Sequence, residues 1–556
     1  MLFKRARRPA HNAPIGRRTR RRVSVGALIF TAGCVGAAVL GLAAGTAQAR
    51  TLTRSPDAFQ PPASASVPRL TGPLAGAQPS ETGGGDAGVT PAVVAAAGYQ
   101  EREFFIAGKA NAYKFTGSPA TDGKWSVSVV PGTTRSYTTR LVVFTPVRAS
   151  RFSGNVVVEW ANVTGGIDAL ADLIATHDEL FRSGDAYVEV SAQFVGVENA
   201  KLSDPARYGA LSDPGDSYSY DIFSQAGMAV RALYPRLLGG LKPRVIVATG
   251  ESQSSFYLTT YVDAFARLYN VYDAYFVHSR EDSSESLQQA PQKVLADDNG
   301  TDVSVSDGNA GLSNVSTPSV VLIRTDLTAP VLTFETQADV YAYPTGLLDF
   351  GPATQADSRD YRLWEAAGDA HADVCLGSLC STDAGNLAGA EARFNVMLNP
   401  PTTLAGIACG QPVNTGEQGY SAAAGLESLI DQAATGGLTG TPPASPPLFT
   451  GQSAGEASAG SPRLDAHGNI LGGLRTPAVD VPVATLSGQP QPGSLYCAFF
   501  GQTTPFTTAK LAALYPTHRA FVRAWDADVA RLVCNRELDP ADGSLLEQAA
   551  ARSTVS

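Results

Sequence analysis

From residue 155 onward the chain alternates short, continuously apolar runs with stretches of helical spacing, and no other feature restricts the fold as much. The apolar runs are Val156 to Trp160, Tyr187 to Ser191, Arg244 to Thr249, Asp273 to His278, Pro330 to Phe334 and Tyr361 to Glu365. Between them, Ala169 to Arg182, Tyr220 to Leu238 and Phe256 to Tyr269 carry the helical period, and Gly184 and Gly239-Gly240 stop the first two. A strand without polar alternation must be covered on both faces, so this order predicts an α/β fold: a mostly parallel central sheet with helices on both sides. Ahead of it, Trp125 to Val130 and Thr138 to Phe144 alternate polar and apolar residues and predict antiparallel strands. The polar stretch 281–315 and the irregular region 400–495, whose segment 433–463 is rich in Gly, Pro, Ala and Ser, read as insertions. Helical spacing around Phe521, Trp525, Val529 and Leu532 makes 510–551 a C-terminal extension. The 96–556 stretch thus reads as one domain, and with 44% hydrophobic residues the chain can fill a sizeable core.

The N-terminus has the layout of an export signal. A basic run ending in Arg20-Arg21-Arg22 precedes an apolar stretch from Val23 to about Ala44, and Ala47-Gln48-Ala49 is a small-x-small cleavage site. Residues 1–49 are therefore expected to be a signal peptide, with Arg50 as the mature N-terminus and a secreted or cell-envelope location. The alternatives are a retained anchor and a lipoprotein start at Cys34, within Thr31-Ala32-Gly33-Cys34. Residues 50–95 are rich in Pro, Gly, Ser and Ala and predict a flexible linker. Nine of the 42 Lys and Arg lie in the first 22 residues; the remainder is clearly acidic, which argues against a nucleic-acid partner. Five cysteines follow the signal: Cys375, Cys380, Cys409, Cys497 and Cys534. Oxidising surroundings would give one or two disulfides with one thiol left over, and Cys375 and Cys380 are the expected pair. A zinc site is the competing reading, weakened by the lack of C-x-x-C pairs and of a histidine cluster.

The sharpest local signal is Gly250-Glu251-Ser252-Gln253-Ser254, directly after one apolar run and directly before a helix. A strand-to-helix turn this tight holds a serine in a strained conformation with its hydroxyl projecting above the sheet, and it needs small residues two before and two after, here Gly250 and Ser254. A serine hydroxyl is barely acidic and requires a base. Of the histidines that follow, His371 stands just past the run 361–365, on a loop at the carboxyl edge of the sheet. His278 ends the strand after the elbow helix, the wrong order for the base, and is placed in the pocket lining. The acid should follow the strand before that of the histidine. Asp339 is the expected acid, because it lies beyond the strand end, and Glu335, at the strand end, is the alternative. Two backbone N–H groups should form an oxyanion hole: that of Gln253, and that of Asn162 in the loop 161–166.

The chain resembles a bacterial family of α/β-hydrolase-domain proteins across residues 98 to 550. The resemblance is carried by Gly98-Tyr99-Gln100-Glu101-Arg102-Glu103-Phe104, by Val157-Val158-Glu159-Trp160-Ala161-Asn162-Val163, by the 250–254 motif, by His278-Ser279-Arg280, and by Leu363-Trp364-Glu365-Ala366-Ala367-Gly368-Asp369-Ala370-His371-Ala372-Asp373. It implies an α/β-hydrolase fold and a serine-hydrolase site, and it implies no substrate. Ser254 departs from the usual glycine at the elbow's end. The resulting expectation is a carboxylic-ester hydrolase that works through an acyl-enzyme on a small or lipid-like ester, without metal or organic cofactor, its rate falling as pH drops through about 6 to 7. The alternatives are an acyltransferase on the same residues and a non-catalytic binding protein that keeps the fold.

Overall fold

The computed structural model describes residues 66–76, 86–287, 292–294, 303–305, 316–341, 348–451 and 461–555. The signal segment, Cys34 and parts of the linker and of both insertions lie outside the described residues. Among the described residues no helix is long and apolar enough to cross a membrane.

The centre is a nine-stranded sheet. Its strands are β1 (Arg69–Thr71), β2 (Tyr99–Ala110), β3 (Arg135–Pro146), β4 (Asn155–Trp160), β5 (Ala186–Val190), β6 (Val245–Glu251), β7 (Ala274–His278), β8 (Val331–Thr336) and β9 (Tyr361–Ala366). They lie in the order β1-β2-β3-β5-β4-β6-β7-β8-β9. From β5 to β9 all neighbours are parallel, whereas β1, β2 and β3 join antiparallel at one edge. The parallel strands are the apolar runs of the sequence, and β4 through β8 bury almost every residue, as strands covered on both sides must.

The pleat shows which helices take which face. Trp160 packs its ring against Tyr220, Phe223 and Tyr257 at centroid distances of 5.8, 4.7 and 5.2 Å. Those partners belong to α2 (Ser219–Leu237) and α3 (Gln253–Thr260), which therefore cover one face. The preceding residue, Glu159, points the other way and accepts the N–H of Asp172 in α1 (Ala171–Ser183) at 2.9 Å. The same face receives α6 (Gln418–Ala434), which packs on α1 and on β6, β7, β8 and β9. Between them lie α4 (Gln337–Val340), a single turn directly after β8 that matters for the site, and α5 (Leu387–Leu398). The C-terminal extension is α7 (His518–Asn535) and α8 (Pro540–Arg552); α8 packs on both α5 and α7.

Two sequence expectations change here. The stretch 400–495 is not irregular throughout, because α6 lies within it and is a buried layer of the fold. Its Ala- and Gly-rich sequence, small enough to lie close against the sheet, hides an apolar stripe behind low hydrophobic contrast; a Cβ on Gly425 would come 3.3 Å from the Trp364 ring. The 50–95 stretch is not all linker: Leu70 is buried on the sheet edge through β1, and Pro91 opens a helix over Pro91–Ala96. The disulfides agree with the one or two expected: Cys375 pairs with Cys380, the expected pair, and Cys409 with Cys497.

Candidate active site

The motif after β6 forms a strand-turn-helix with Ser252 at its apex. Ser252 has φ 55° and ψ −127°, a conformation a non-glycine residue adopts only at a cost of about 1–3 kcal/mol. Neighbouring bonds hold it there: its N–H donates to the carbonyl of His278 at 2.9 Å, and its own carbonyl accepts from Ser255 N–H at 2.8 Å. A Cβ on Gly250 would lie 3.1 Å from the Ser254 carbonyl oxygen, so a larger residue before the turn would crowd it. Ser254, in place of the usual glycine, fits for a specific reason: its hydroxyl turns back and donates to the carbonyl of Glu251 at 2.8 Å, closing the turn with an extra bond.

The structure brings Ser252, His371 and Asp339 together. His371 Nε2 lies 2.8 Å from Ser252 Oγ, and its Nδ1 lies 2.8 Å from Asp339 Oδ1. An ionised carboxylate only accepts, so Nδ1 carries the proton and Nε2 is left to accept the serine O–H. Asp339 sits in the first turn of α4, where the side chains of Thr336 and Asp339 cap each other's backbone N–H groups. Its second oxygen accepts from the Ser279 hydroxyl at 2.6 Å and from Thr336 N–H at 2.6 Å. Burial pushes the Asp339 carboxyl up, but His371 and these hydrogen bonds outweigh it and hold it below the ordinary aspartate range. Glu335 is placed elsewhere, inside β8, where its Oε1 accepts from Arg280 N–H at 3.3 Å and its Oε2 has no hydrogen-bond partner among the described residues. Burial, then the charge of Asp339, push Glu335 well above the usual carboxylate range.

A second acidic group approaches the histidine from below. Glu251, the residue before the serine, has Oε1 3.6 Å from His371 Nε2. Burial raises it to about 7, against the charges of His371 and His278. For His371 itself, burial pulls the pKa down, while Asp339 and then Glu251 push it up, and the net effect is a rise above the ordinary 6.5.

Asn162 is not the open donor expected of it. Its backbone N–H is spent on the carbonyl of Ala169 at 3.0 Å, and its amide donates to the carbonyl and carboxylate of Glu251 at 3.0 and 3.2 Å, so it works as a strut beneath the elbow. The adjacent buried N–H of Val163 has no partner among the described residues. Gln253 keeps its backbone N–H open because it is the first residue of α3.

The loop that carries His371 is held at many points. Asn414 donates to the carbonyl of Gly368 at 2.7 Å and its own carbonyl accepts from Val374 N–H at 3.0 Å. Gln418 donates to the carbonyl of Ala370 at 3.0 Å, and Ala372 N–H donates to Phe499 at 3.1 Å. The Phe499 ring lies 5.0 Å from the imidazole. The Cys375–Cys380 disulfide closes the chain just after this loop, and Cys409–Cys497 secures the segment that bears Phe499. Sequence reasoning missed Asn414 and Gln418, since both lie in the stretch read as irregular. It also gave Glu251 no role, although the motif already contained it. His278 does not line an open pocket: it is fully buried, with Nδ1 2.7 Å from Asp172 Oδ1.

Sheet, elbow and the position of the histidine loop define the class: an α/β chain with a serine-bearing strand-to-helix turn at the carboxyl edge of its parallel strands. The alpha/beta hydrolase domain family matches residues 70–548, and the chain belongs to that family. No curated protein matches it. Among solved structures it is similar to the rice cell wall degrading esterase LipA from Xanthomonas oryzae, at 12% identity and a TM-score of 0.22 over 34% of this chain and 47% of that one. The match therefore spans under half the length of that esterase. It is also similar to an a/b serine hydrolase without lid from Xanthomonas campestris (11% identity, TM-score 0.24, 46% of this chain and 83% of that one). Est1E from Butyrivibrio proteoclasticus gives 12% identity and a TM-score of 0.25 over 52% and 98% of the two chains.

Proposed function

We propose that the protein is an exported serine hydrolase that cleaves carboxylic esters through an acyl-enzyme on Ser252, His371 and Asp339. The observation that carries this reading is the unbroken pair of 2.8 Å contacts from Ser252 Oγ through the imidazole to Asp339 Oδ1, with the serine held at φ 55°. In the first half-reaction Ser252 Oγ attacks the ester carbonyl carbon while His371 Nε2 takes its proton. Asp339 stabilises the imidazolium that forms. The N–H groups of Gln253 and Val163 receive the negative charge that develops on the carbonyl oxygen. The tetrahedral intermediate then collapses: the C–O bond to the alcohol breaks, and His371 returns the proton to the departing alkoxide. In the second half-reaction His371 takes a proton from a water as that water attacks the acyl carbon; the second tetrahedral intermediate collapses as the bond to Ser252 Oγ breaks, and His371 gives its proton to Oγ, releasing the acid and free Ser252. No step calls on a metal or an organic cofactor, and the substrate is an ester of small or lipid-like character. The disulfides support an oxidising compartment and hence export.

The test is labelling with a fluorophosphonate probe, mapping of the modified residue, and turnover of p-nitrophenyl esters of graded acyl length. Modification of Ser252 and its loss in Ser252→Ala are expected. Absence of labelling at Ser252 in folded protein overturns the reading and leaves the binding-protein alternative.

A further inference from the structure

His278 lies on the sheet face covered by α1 and α6, beside Glu251 in the parallel register and fully buried. Its two ring nitrogens have different neighbours, and together those neighbours decide its charge. Nδ1 is 2.7 Å from Asp172 Oδ1, an acceptor. Nε2 is 3.2 Å from Gln418 Oε1. The amide of Gln418 cannot be turned round, because its nitrogen donates to the carbonyl of Ala370 at 3.0 Å, and a carbonyl oxygen accepts only. Both ring nitrogens therefore face acceptors. A neutral imidazole owns one N–H and would leave one of these contacts as two lone pairs in opposition. The protonated ring satisfies both, and Asp172 cancels its charge within the protein interior.

The same residue touches both halves of the site. Its backbone carbonyl accepts the N–H of Ser252 at 2.9 Å, and its ring, through Gln418, reaches the residue before His371. Building on the hydrolase reading above, we propose that His278 is a standing imidazolium, paired with Asp172, that fixes the distance between Ser252 and His371 and opposes protonation of His371. It is a positioning residue, since it does not contact the reacting atoms. The charged groups in play around His371 are Asp339 from α4, Glu251 from the end of β6 and His278 from the end of β7. Around His278 they are Asp172 from α1, Glu251 and Asp339. The directions agree: burial pulls His278 down, but its carboxylate neighbours, Asp172 foremost, bring the net shift up, and His278 in turn lowers the proton affinity of His371.

Two measurements test this. In wild-type protein labelled with 15N-histidine, the histidine whose ring shows through-space contacts to Phe334, 5.0 Å away between ring centroids, should carry protons on both nitrogens at pH 9. A single N–H there overturns the proposal and needs no variant. In His278→Asn, which keeps a donor toward Asp172 but no charge, kcat should fall about tenfold or more with KM little changed. The acid limb of kcat/KM should move up by about one pH unit. A limb that coincides with the wild type also overturns the proposal, because a merely structural histidine would change melting temperature alone. Failure of the hydrolase reading shows up separately, as unlabelled Ser252 in wild-type protein, and leaves the NMR result decisive for His278.

Discussion

The two halves of the site are built on different principles. Ser252 stands on a turn shaped mainly by local bonds: β6 ends, Ser252 turns, α3 begins, Ser254 and Ser255 brace it from within the same few residues, and only the His278 carbonyl and the Asn162 amide reach it from neighbouring strands. The histidine stands on a loop that has no conformation of its own to impose. Asn414, Gln418 and Phe499 hold it, residues 43 to 128 positions away in the chain, together with two disulfides. A local device can be kept by a short motif. A loop held from a distance depends on the whole C-terminal third staying folded. The nucleophile side should thus fail by chemistry and the histidine side by loosening.

The largest effects should come from the reacting groups, and they should leave stability alone. Ser252→Ala and Asp339→Asn are each expected to lower ester turnover by about 10⁴-fold with melting temperature preserved. Glu335→Gln should stay within a few-fold of wild type, because the Glu335 carboxyl accepts from Arg280 N–H rather than from His371, and the amide keeps its shape. Steady-state rates on one p-nitrophenyl ester compare all three, and loss of activity in Glu335→Gln alone would exchange the roles of the two acids.

Next come the staples of the histidine side. Cys409→Ser with Cys497→Ser opens a bridge spanning 88 residues, and loop-closure entropy puts its worth at about 4–5 kcal/mol. Cys375→Ser with Cys380→Ser opens a bridge of only 5 residues, worth about 2 kcal/mol. Urea unfolding should rank them in that order. If the comparison is right, the first pair should also cut kcat while the Phe499 segment loosens, in protein that remains folded by circular dichroism.

The smallest and most diagnostic effect is in pH. His371 must be neutral to accept the serine proton, and its pKa is raised above 6.5, so kcat/KM should fall as pH drops through a value above 6.5. This places the acid limb at the upper end of the range expected from an unperturbed histidine, or beyond it. Glu251→Gln removes one of the charges that raise His371, so its limb should shift toward lower pH, opposite in sign to His278→Asn. A titration of initial rates from pH 5 to 9 reads both.

The same contrast explains what was legible in the sequence. The strands, the helices on both faces and the elbow follow from local patterns: continuous apolar runs, the 3.6-residue period, and a serine between small residues at a strand end. The choice of Asp339 over Glu335 rested on strand alternation, which is also local, and the structure sets His371 against Asp339. Three things were not legible. Asn162 loses its N–H to Ala169, a pairing fixed only when the loop folds back. Gln418 and Asn414 act across long sequence separations, from a stretch whose small residues blur the apolar stripe of α6. The charge of His278 is set jointly by residues of α1 and α6, neither adjacent to it in the chain.

The backbone of Ser252 also bears on how such a chain evolves. At φ 55° and ψ −127° a side chain is a burden that glycine would not carry, and the strain amounts to about 1–3 kcal/mol. Ser252→Gly is accordingly expected to melt at a higher temperature than the natural protein while doing no chemistry. The strain is therefore what carrying a hydroxyl at this position costs the fold.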